Sequence, residues 1–272
     1  MIPEFANYFF ILAIDGIETV AREKGYHVLI YITHDDYERE KSIVNHFQNG
    51  RIDGIIMSVS STTKDYTHLS ELHEKGTPLV FFDRVCHEIE TTKITTDDFA
   101  SSFKATEHLI KNNCKRIAFL SLTQHLSIET KRKAGYLEAL TKHDIPIDDN
   151  WVIECSNDDI ISTEKIKKLL SSANRPDGIF ASVEKLALQT YKVCHDLNIR
   201  IPKNLQVLCF ANLLTAPLLN PPLTTITQPA FDIGKKAAET LFSHLKKKQH
   251  AIPNENIVLK SILYIRHSTV KL

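Results

Sequence analysis

The sequence predicts an α/β protein made of two similar lobes, each built on a doubly wound parallel sheet. The first observation is that apolar runs of strand length alternate with amphipathic helices through most of the 272 residues. The second is that this alternation stops and then restarts halfway along the chain. Strands that alternate with helices form parallel sheets with right-handed crossovers, so two such series indicate two sheets.

The first series begins with an amphipathic helix at 10–24, which Gly25 ends in the manner of a helix C-terminus. The apolar run 26–33 follows, and we expect it to be a strand buried on both faces. The remaining predicted elements of this half are a helix at 36–48, a strand at 52–59, a helix at 66–75 and a strand at 78–82.

The second series contains predicted strands and helices in the same alternation. They are a strand at 115–121, a helix at 130–142, a strand at 151–154, a helix at 162–171, a strand at 177–182, a helix at 184–197 and a strand at 205–210. A short strand at 223–227 and a helix beginning near Ile233, capped by Asp232, end the pattern. The apolar stripe of that last helix contains Ala237, Leu241, Phe242 and Leu245.

The two halves also contain similar short sequence fragments. RIDGII at 51–56 matches RPDGIF at 175–180, and HDD at 34–36 matches NDD at 157–159, in the same order and at nearly the same spacing. The second half opens with a strand before its first helix, whereas the first half has only residues 1–3 there. We therefore expect the chain to be a fragment of a longer natural protein, with the missing strand upstream of Met1.

Composition excludes several classes of function. Lys+Arg and Asp+Glu both number 33, so the chain lacks the basic excess that phosphate binding requires. The basic run 246–248 is interpreted as a solvated helix end that suits the helix dipole. Five cysteines without CxxC spacing favour a reducing, cytoplasmic setting, and no apolar run has the length of a membrane span or the form of a leader peptide.

A series of short motifs resembles the effector-binding core of the lactose-repressor (LacI/GalR) family of bacterial transcription regulators. The most specific is PPLTT at 221–225 with QP at 228–229, followed by a helix of the form G-x-x-A-A-x-x-L at 234–241. Further matching fragments lie at 3–10, 16–28, 53–56, 83–84, 107–110, 116–120, 135–136, 177–180 and 201–202.

The resemblance implies a type I periplasmic-binding-protein-like architecture with three crossovers. Its subdomains are expected at 1–94 plus 228–257 and at 95–227 plus 258–272, with a ligand cleft between them. It also implies a small-molecule effector, a homodimer, and operator DNA bound only through a helix-turn-helix domain that this chain lacks. No cofactor, metal or membrane partner is implied.

The cleft is expected at the carboxyl ends of the strands. The candidate ligand-binding residues are Phe9, Phe10, Asp83, Arg84, Asp97, Thr130, Arg132, Phe180, Glu184, Asn212 and Gln228. Sugars and nucleosides require aromatic faces and groups that bind hydroxyls, and this set offers both.

Each candidate also has a structural interpretation. Phe9 and Phe10 are expected to divide between core and cleft, with Phe9 favoured for the cleft. Phe180 is expected equally to belong to the core or to line the wall of the cleft. Asp83 caps a turn or pairs with Arg84, and at least one of the acids at 97–98 caps a helix. Glu184 suits a helix N-terminus.

Two positions depart from the family pattern. The usual G-F-D-D segment reads CFAN at 209–212, and the arginine often found five residues before the Gly-Tyr pair is Thr130, although Arg132 lies nearby. Loss of an acid and a base removes charge-assisted hydrogen bonds of about 1.5–3 kcal/mol each. We hypothesise that the protein does not bind a common hexose in the usual pose, and that it recognises another ligand or acts without one.

Catalytic motifs are missing from the sequence. The eight glycines form no G-x-G, there is no G-x-S-x-G, and the thirteen histidines form no H-E-x-x-H. This predicts binding and signalling by a population shift, in which ligand closes the lobes, bends the crossings near Thr95, 224–227 and 256–260, and rearranges the dimer.

The alternative is a periplasmic sugar-binding protein of the same fold, disfavoured by the absence of a leader and by the free cysteines. A third alternative is a sugar- or nucleotide-processing enzyme, but no catalytic motif in the sequence supports it.

Overall fold

The computed structural model describes residues 1–47, 52–122, 126–247 and 253–270. Helices α1 to α8 are Tyr8–Glu23, Tyr37–Phe47, Thr67–Glu74, Asp98–Lys111, Ser127–Lys142, Asp159–Leu170, Glu184–Asp196 and Ala230–Lys247. Strands β1 to β10 are Ile55–Met57, Leu79–Phe82, Lys93–Thr96, Ile117–Ser121, Val152–Glu154, Gly178–Ala181, Gln206–Phe210, Thr224–Thr227, Asn256–Leu259 and Ile262–Tyr264.

Contacts divide the chain into two units. Unit 1 contains Met1–Thr96 and Pro229–Leu259, and unit 2 contains Asp97–Gln228 and Lys260–Leu272. The chain therefore passes from one unit to the other three times, after Thr96, Gln228 and Leu259.

The sheet of unit 1 has the order β1-β2-β3-β9, and all its pairs are parallel. Helices α1 and α8 cover one face through an apolar cluster that includes Phe10, Val80 and Ala237. Helices α2 and α3 supply residues of a second cluster, in which Val44 and Leu69 pack with Phe81. Helices on both faces explain why the side chains of the central strands β2 and β3 are buried throughout, as in parallel sheets generally.

Unit 2 has a sheet of order β10-β8-β7-β6-β4-β5, in which only β10 is antiparallel to its neighbour. One apolar cluster contains residues of α6 and α7, and another contains residues of α4 and α5. The prediction of parallel, doubly wound α/β lobes is confirmed; the antiparallel edge strand β10 was not predicted.

Glycines set the closest helix contacts in both units. A Cβ on Gly16 in α1 would collide with the carbonyl of Phe231 in α8, and one on Gly234 in α8 would collide with the carbonyl of Ala13 in α1. In unit 2, Gly135 in α5 lies equally close to the carbonyl of Phe99 in α4. Gly16 in unit 1 and Gly135 in unit 2 thus have the same packing role.

Two predicted elements differ from the structure. The run 26–33 is not a buried strand: it forms a single parallel bridge, between Ile2 and Ile32, and Leu29 is 64% exposed. The final helix begins at Ala230 directly after Pro229, so Asp232 lies in its first turn and does not cap it. Proline suits the entry to a helix because its missing N–H is not needed there. The run 246–248 lies partly outside the described residues.

Candidate functional site

Polar side chains gather at the carboxyl edge of the sheet in unit 1. The Asp35 carboxylate accepts from the Ser61 backbone N–H (2.7 Å) and from Arg84 Nη1 (2.8 Å). Both charged side chains are mostly buried, at 19% and 11% exposed. Asp35 has a positive φ of 59°, a backbone conformation that aspartate tolerates better than most residues. This arrangement holds a guanidinium in place beside β1 and β2.

A buried carboxylate lies behind this pair. Glu40 in α2 is fully buried and accepts from the Ser60 N–H (2.7 Å), from the Thr63 hydroxyl (2.9 Å) and from a ring nitrogen of His68 (3.1 Å). The sequence analysis did not identify Glu40. The sequence feature that could have identified Glu40 is its position in the helix. It lies four residues before Val44 and seven residues before Phe47, on the apolar face of α2.

The other candidates in unit 1 are placed as follows. Phe9 and Phe10 both belong to the apolar core and meet edge to face at 5.2 Å, so the expectation that one lies outside the core is wrong. Asp83 is buried with a φ of 58°, and Arg84 pairs with Asp35. Ligand contact by these residues stays a prediction.

Arg132 organises the carboxyl edge of the sheet in unit 2. Its Nε donates to Asp98 Oδ1 (2.8 Å), and its Nη1 donates to the Ser182 carbonyl at the end of β6 (2.8 Å). The guanidinium also lies over the ring of Phe210, the last residue of β7, at 3.8 Å from its centroid. Desolvated cation–π contacts of this kind contribute about 2 kcal/mol. Arg132 is only 2% exposed, so its orientation is fixed.

A second buried acid, missed by the sequence analysis, completes this cluster. Glu129 in the first turn of α5 accepts from the Ser182 hydroxyl at 2.8 Å and is 3% exposed. Thr130, the next residue, is exposed and donates its hydroxyl to the Leu126 carbonyl within the helix. Of this first turn, therefore, Glu129 joins the cluster and Thr130 faces away from it.

The acids at the start of α4 do not act as side-chain caps. Asp97 has the N-cap position without a capping bond, and its Oδ1 accepts from the Ser101 hydroxyl (2.9 Å) and the Ser261 N–H (2.8 Å). Asp98 is committed to Arg132. The capping interpretation is wrong because both carboxylates have partners farther along the chain.

Asn212 and Gln228 form a mutual clamp. Asn212 Nδ2 donates to the Gln228 carbonyl (2.8 Å), and its Oδ1 accepts from the Gln228 N–H (3.3 Å). The Thr227 hydroxyl adds a bond to the Ala211 carbonyl. The ends of β7 and β8 are thereby tied together directly before the chain leaves unit 2.

The remaining two candidates are positioned by packing. Phe180 is fully buried, edge to face with Phe119 and stacked on Phe210, so of the two alternatives the structure gives the core role. Glu184 is the first residue of α7 and half-buried, which suits the dipole of the helix.

The cysteines do not form a reactive site. All five are free and buried, and burial raises the pKa of the Cys155 thiol to about 11 and that of Cys194 to about 12. A thiol protonated at neutral pH is a poor nucleophile. Over the described residues no group of three or more His, Cys, Asp or Glu could hold a metal ion, and no helix is long and apolar enough to cross a membrane.

Two α/β units with largely parallel sheets, between which the chain passes three times, have the architecture of periplasmic-binding-protein-like proteins. The chain belongs to the family described as the periplasmic binding protein-like domain, whose model matches residues 106–269. The resemblance to the lactose-repressor family is confirmed by its relatives. The chain is 27% identical over 270 residues to catabolite control protein A of Priestia megaterium, covering 99% of this chain and 80% of that protein.

Two further comparisons agree. The chain is 28% identical over 250 residues to the HTH-type transcriptional repressor PurR of Vibrio vulnificus, covering 92% of this chain and 75% of the repressor. The solved structure of the transcription regulator CcpA of Lactococcus lactis matches the fold with a TM-score of 0.88 at 23% identity, over 99% and 97% of the two chains.

Proposed function

We propose that this chain is the effector-sensing and dimerising part of a LacI-type transcriptional regulator that acts in the cytoplasm. It binds a small polar molecule, such as a sugar, a sugar derivative or a nucleoside-like compound, through groups at the carboxyl edges of its sheets. The observation that carries this proposal is that each sheet has a buried arginine–aspartate pair at its carboxyl edge, Arg84 with Asp35 and Arg132 with Asp98.

Such pairs suit the recognition of hydroxyl-rich molecules. A guanidinium offers up to five donors in a fixed fork, and a carboxylate accepts at both oxygens. Because Arg132 is held by Asp98, Ser182 and Phe210, it loses little conformational freedom when a ligand binds.

The ligand is expected to differ from a common hexose in the usual pose. Position 211 carries Ala in place of the family's hydroxyl-binding acid, and the Asn212 amide is engaged with the backbone of Gln228. Arg132 supplies a guanidinium at this edge although position 130 is Thr. The lost acid is therefore the departure that we expect to alter ligand choice.

Signalling follows if the ligand binds one arrangement of the protein more tightly than another. A ligand that contacts both units favours one relative arrangement, changes the geometry of the homodimer, and so alters operator affinity through a DNA-binding domain joined to this core. Linkage makes the effect reciprocal, so operator DNA changes ligand affinity by the same factor.

Calorimetry against hexoses, sugar phosphates, purines and nucleosides tests the proposal. We expect one class to bind, and Arg132→Lys and Asp35→Asn each to weaken binding at least about tenfold, or about 1.4 kcal/mol. The exposed Arg22→Lys is the matched control and should bind normally. Strong binding of a plain hexose would refute the ligand hypothesis. A chain that remains monomeric and binds none of these compounds contradicts the function.

A further inference from the structure

The loop that follows β1 connects two carboxylates of unit 1. Loop 60–63 contacts Glu40 on one side and Asp35 on the other. The Ser60 N–H donates to one oxygen of the Glu40 carboxylate at 2.7 Å, and the Thr63 hydroxyl donates to the other oxygen at 2.9 Å. The loop therefore links a fully buried acid to the aspartate of the ion pair at the edge of the sheet.

Three hydrogen bonds hold Asp35 against loop 60–63. The Ser61 N–H donates to Oδ1 at 2.7 Å, the Ser61 hydroxyl donates to Oδ2, and the Thr62 hydroxyl donates to the Asp35 carbonyl at 3.0 Å. These bonds fix a strained segment, because His34 and Asp35 both have a positive φ, of 54° and 59°. Such backbone persists only where its surroundings determine it, so the loop decides where the Asp35 carboxylate lies.

The matched aspartate of unit 2 has a different role. The match of HDD with NDD equates Asp35 with Asp158, whose side chain caps α6. In unit 1 the next residue, Asp36, accepts instead from a backbone N–H in the first turn of α2, that of Arg39, at 2.7 Å. The capping role has thus moved by one residue in unit 1, and the Asp35 carboxylate pairs with Arg84.

Burial of Glu40 requires a reason other than packing. Glu40 lies on the same face of α2 as Val44 and Phe47, where an apolar side chain would avoid the cost of desolvating a charge. Besides the loop, its donor is a ring nitrogen of His68 in α3, at 3.1 Å. Buried polar groups in some proteins select one conformation while adding little stability. Here the conformation that Glu40 selects is that of loop 60–63.

The guanidinium at the end of this chain of contacts keeps one buried donor unused. Arg84 Nη1 donates to Asp35 at 2.8 Å, whereas Nε is buried and has no hydrogen-bond partner among the residues that the structure describes. A buried N–H without a partner is unfavourable, and a bound oxygen acceptor would remove that penalty. The direction of this N–H depends on where Asp35 holds the guanidinium.

We propose that Glu40 is a positioning residue for Arg84. Glu40 fixes loop 60–63, the loop fixes Asp35 in its left-handed conformation, and Asp35 holds the guanidinium so that Nε–H donates to an oxygen of the effector. The effector contact rests on the proposed function, whereas the positioning of Arg84 by Glu40 is a property of unit 1 alone.

Side-chain NMR of the complete chain without an effector tests this. The Nε–H signal of Arg84 is assigned by its loss in Arg84→Lys. In Glu40→Gln the side chain keeps one accepting oxygen, so its NH2 group faces one of the donors that the carboxylate bound. We expect solvent exchange of the Arg84 Nε–H and of the Ser61 backbone N–H to become at least about tenfold faster.

Two internal comparisons separate positioning from a general loss of stability. The backbone amides of Val80 and Phe81 in β2 report opening of the whole unit, and they should accelerate less than the Arg84 Nε–H. Glu71→Gln changes an exposed acid on α3 and is the matched control, which should leave all these rates unchanged.

Two further variants act on other links of the same chain of contacts. Thr63→Val removes one donor to Glu40 and should accelerate the Arg84 Nε–H to a smaller extent; it decides the question if Glu40→Gln does not fold. Asp35→Asn should accelerate the Arg84 Nε–H while the Ser60 N–H stays protected.

Three results would overturn the proposal: an unchanged Arg84 signal in Glu40→Gln, acceleration of the β2 amides by the same factor as the Arg84 Nε–H, or no effect of Thr63→Val on Arg84. An effector that does not contact Arg84 would refute the proposed function at this edge and leave the positioning role intact, so the two failures are distinguishable.

Discussion

Arg132 and Asp98 form a buried ion pair of 2.8 Å that joins the start of α4 to α5 in unit 2, with 3% and 1% of the two side chains exposed. Ser102 adds a hydrogen bond from its hydroxyl to the Arg132 carbonyl. Contacts between these helices continue at Gly135, where the backbones approach closely.

Removing one partner of this pair should destabilise unit 2 strongly. Arg132→Met leaves the Asp98 carboxylate buried without its cation, and such losses cost about 3–5 kcal/mol. Urea unfolding followed by circular dichroism measures this. The double variant with Asp98→Leu should recover much of the loss, and Lys192→Met, in an exposed pair with Asp196, should have no measurable effect. If Arg132→Met unfolded at the same urea concentration as the parent chain, the pair would not be buried as described.

Gly234→Ala should destabilise unit 1, although alanine is the better helix former. Intrinsic propensity favours alanine by about 1 kcal/mol, but the added Cβ collides with the Ala13 carbonyl and forces α1 and α8 apart. We expect a net loss of about 2 kcal/mol or more. Thermal unfolding checks the sign, with the exposed Asp15→Ala in α1 as the neutral control. A stabilised Gly234→Ala would contradict the close crossing.

Asn212→Asp should weaken the clamp on Gln228 in a pH-dependent way. A carboxylate cannot donate to the Gln228 carbonyl, so it loses the 2.8 Å bond and places charge beside that oxygen. We expect a loss of about 1–3 kcal/mol at neutral pH. A protonated acid can donate, so the folded state raises the pKa of the new acid above its ordinary value; the deficit shrinks as pH falls through that raised pKa, and the recovery is complete below about 4. Asn212→Ala, which loses both bonds, should show no such recovery. Equal pH profiles for the two variants would rule out the clamp.

The Met1 amine should make the stability of this chain depend on pH. Its folded pKa of about 5 lies below its ordinary value of 8.0, so between these values the unfolded chain binds more protons. The free energy of unfolding therefore rises with pH across this window and is reduced as pH falls toward 5. Acetylated Met1 should be the more stable form near pH 5, with the difference shrinking by pH 8. Parallel urea curves at pH 5, 6.5 and 8 measure this; a constant difference would contradict burial of the amine.

The sequence predicted most helices to within a few residues because each carries a local signal. Gly25 at the end of α1 has the positive φ of 77° that its position after the helix requires. The run 26–33 shows the limit of that approach. Its composition is that of a buried strand, but burial depends on a neighbour that residues 1–2 supply only at one end.

Candidate site residues were harder to assign, because partners at a sheet edge come from distant loops. Asp83 was expected either to cap a turn or to pair with Arg84, whereas the partner found for Arg84 is Asp35, 49 residues away. Glu40 and Glu129 were missed since a buried acid looks like any helical acid until its donors are known.

The sequence by itself determined the order of elements and the parallel α/β class, because periodicity and turn chemistry act over a few residues and repeat between the two halves. Its short motifs carried the family resemblance. Tertiary structure alone decided which polar groups meet. Hydrogen bonds form between groups that strand order brings together, as when the Asn212 side chain at the end of β7 donates to the backbone carbonyl of Gln228 after β8. Strand order is a long-range property that local spacing does not encode.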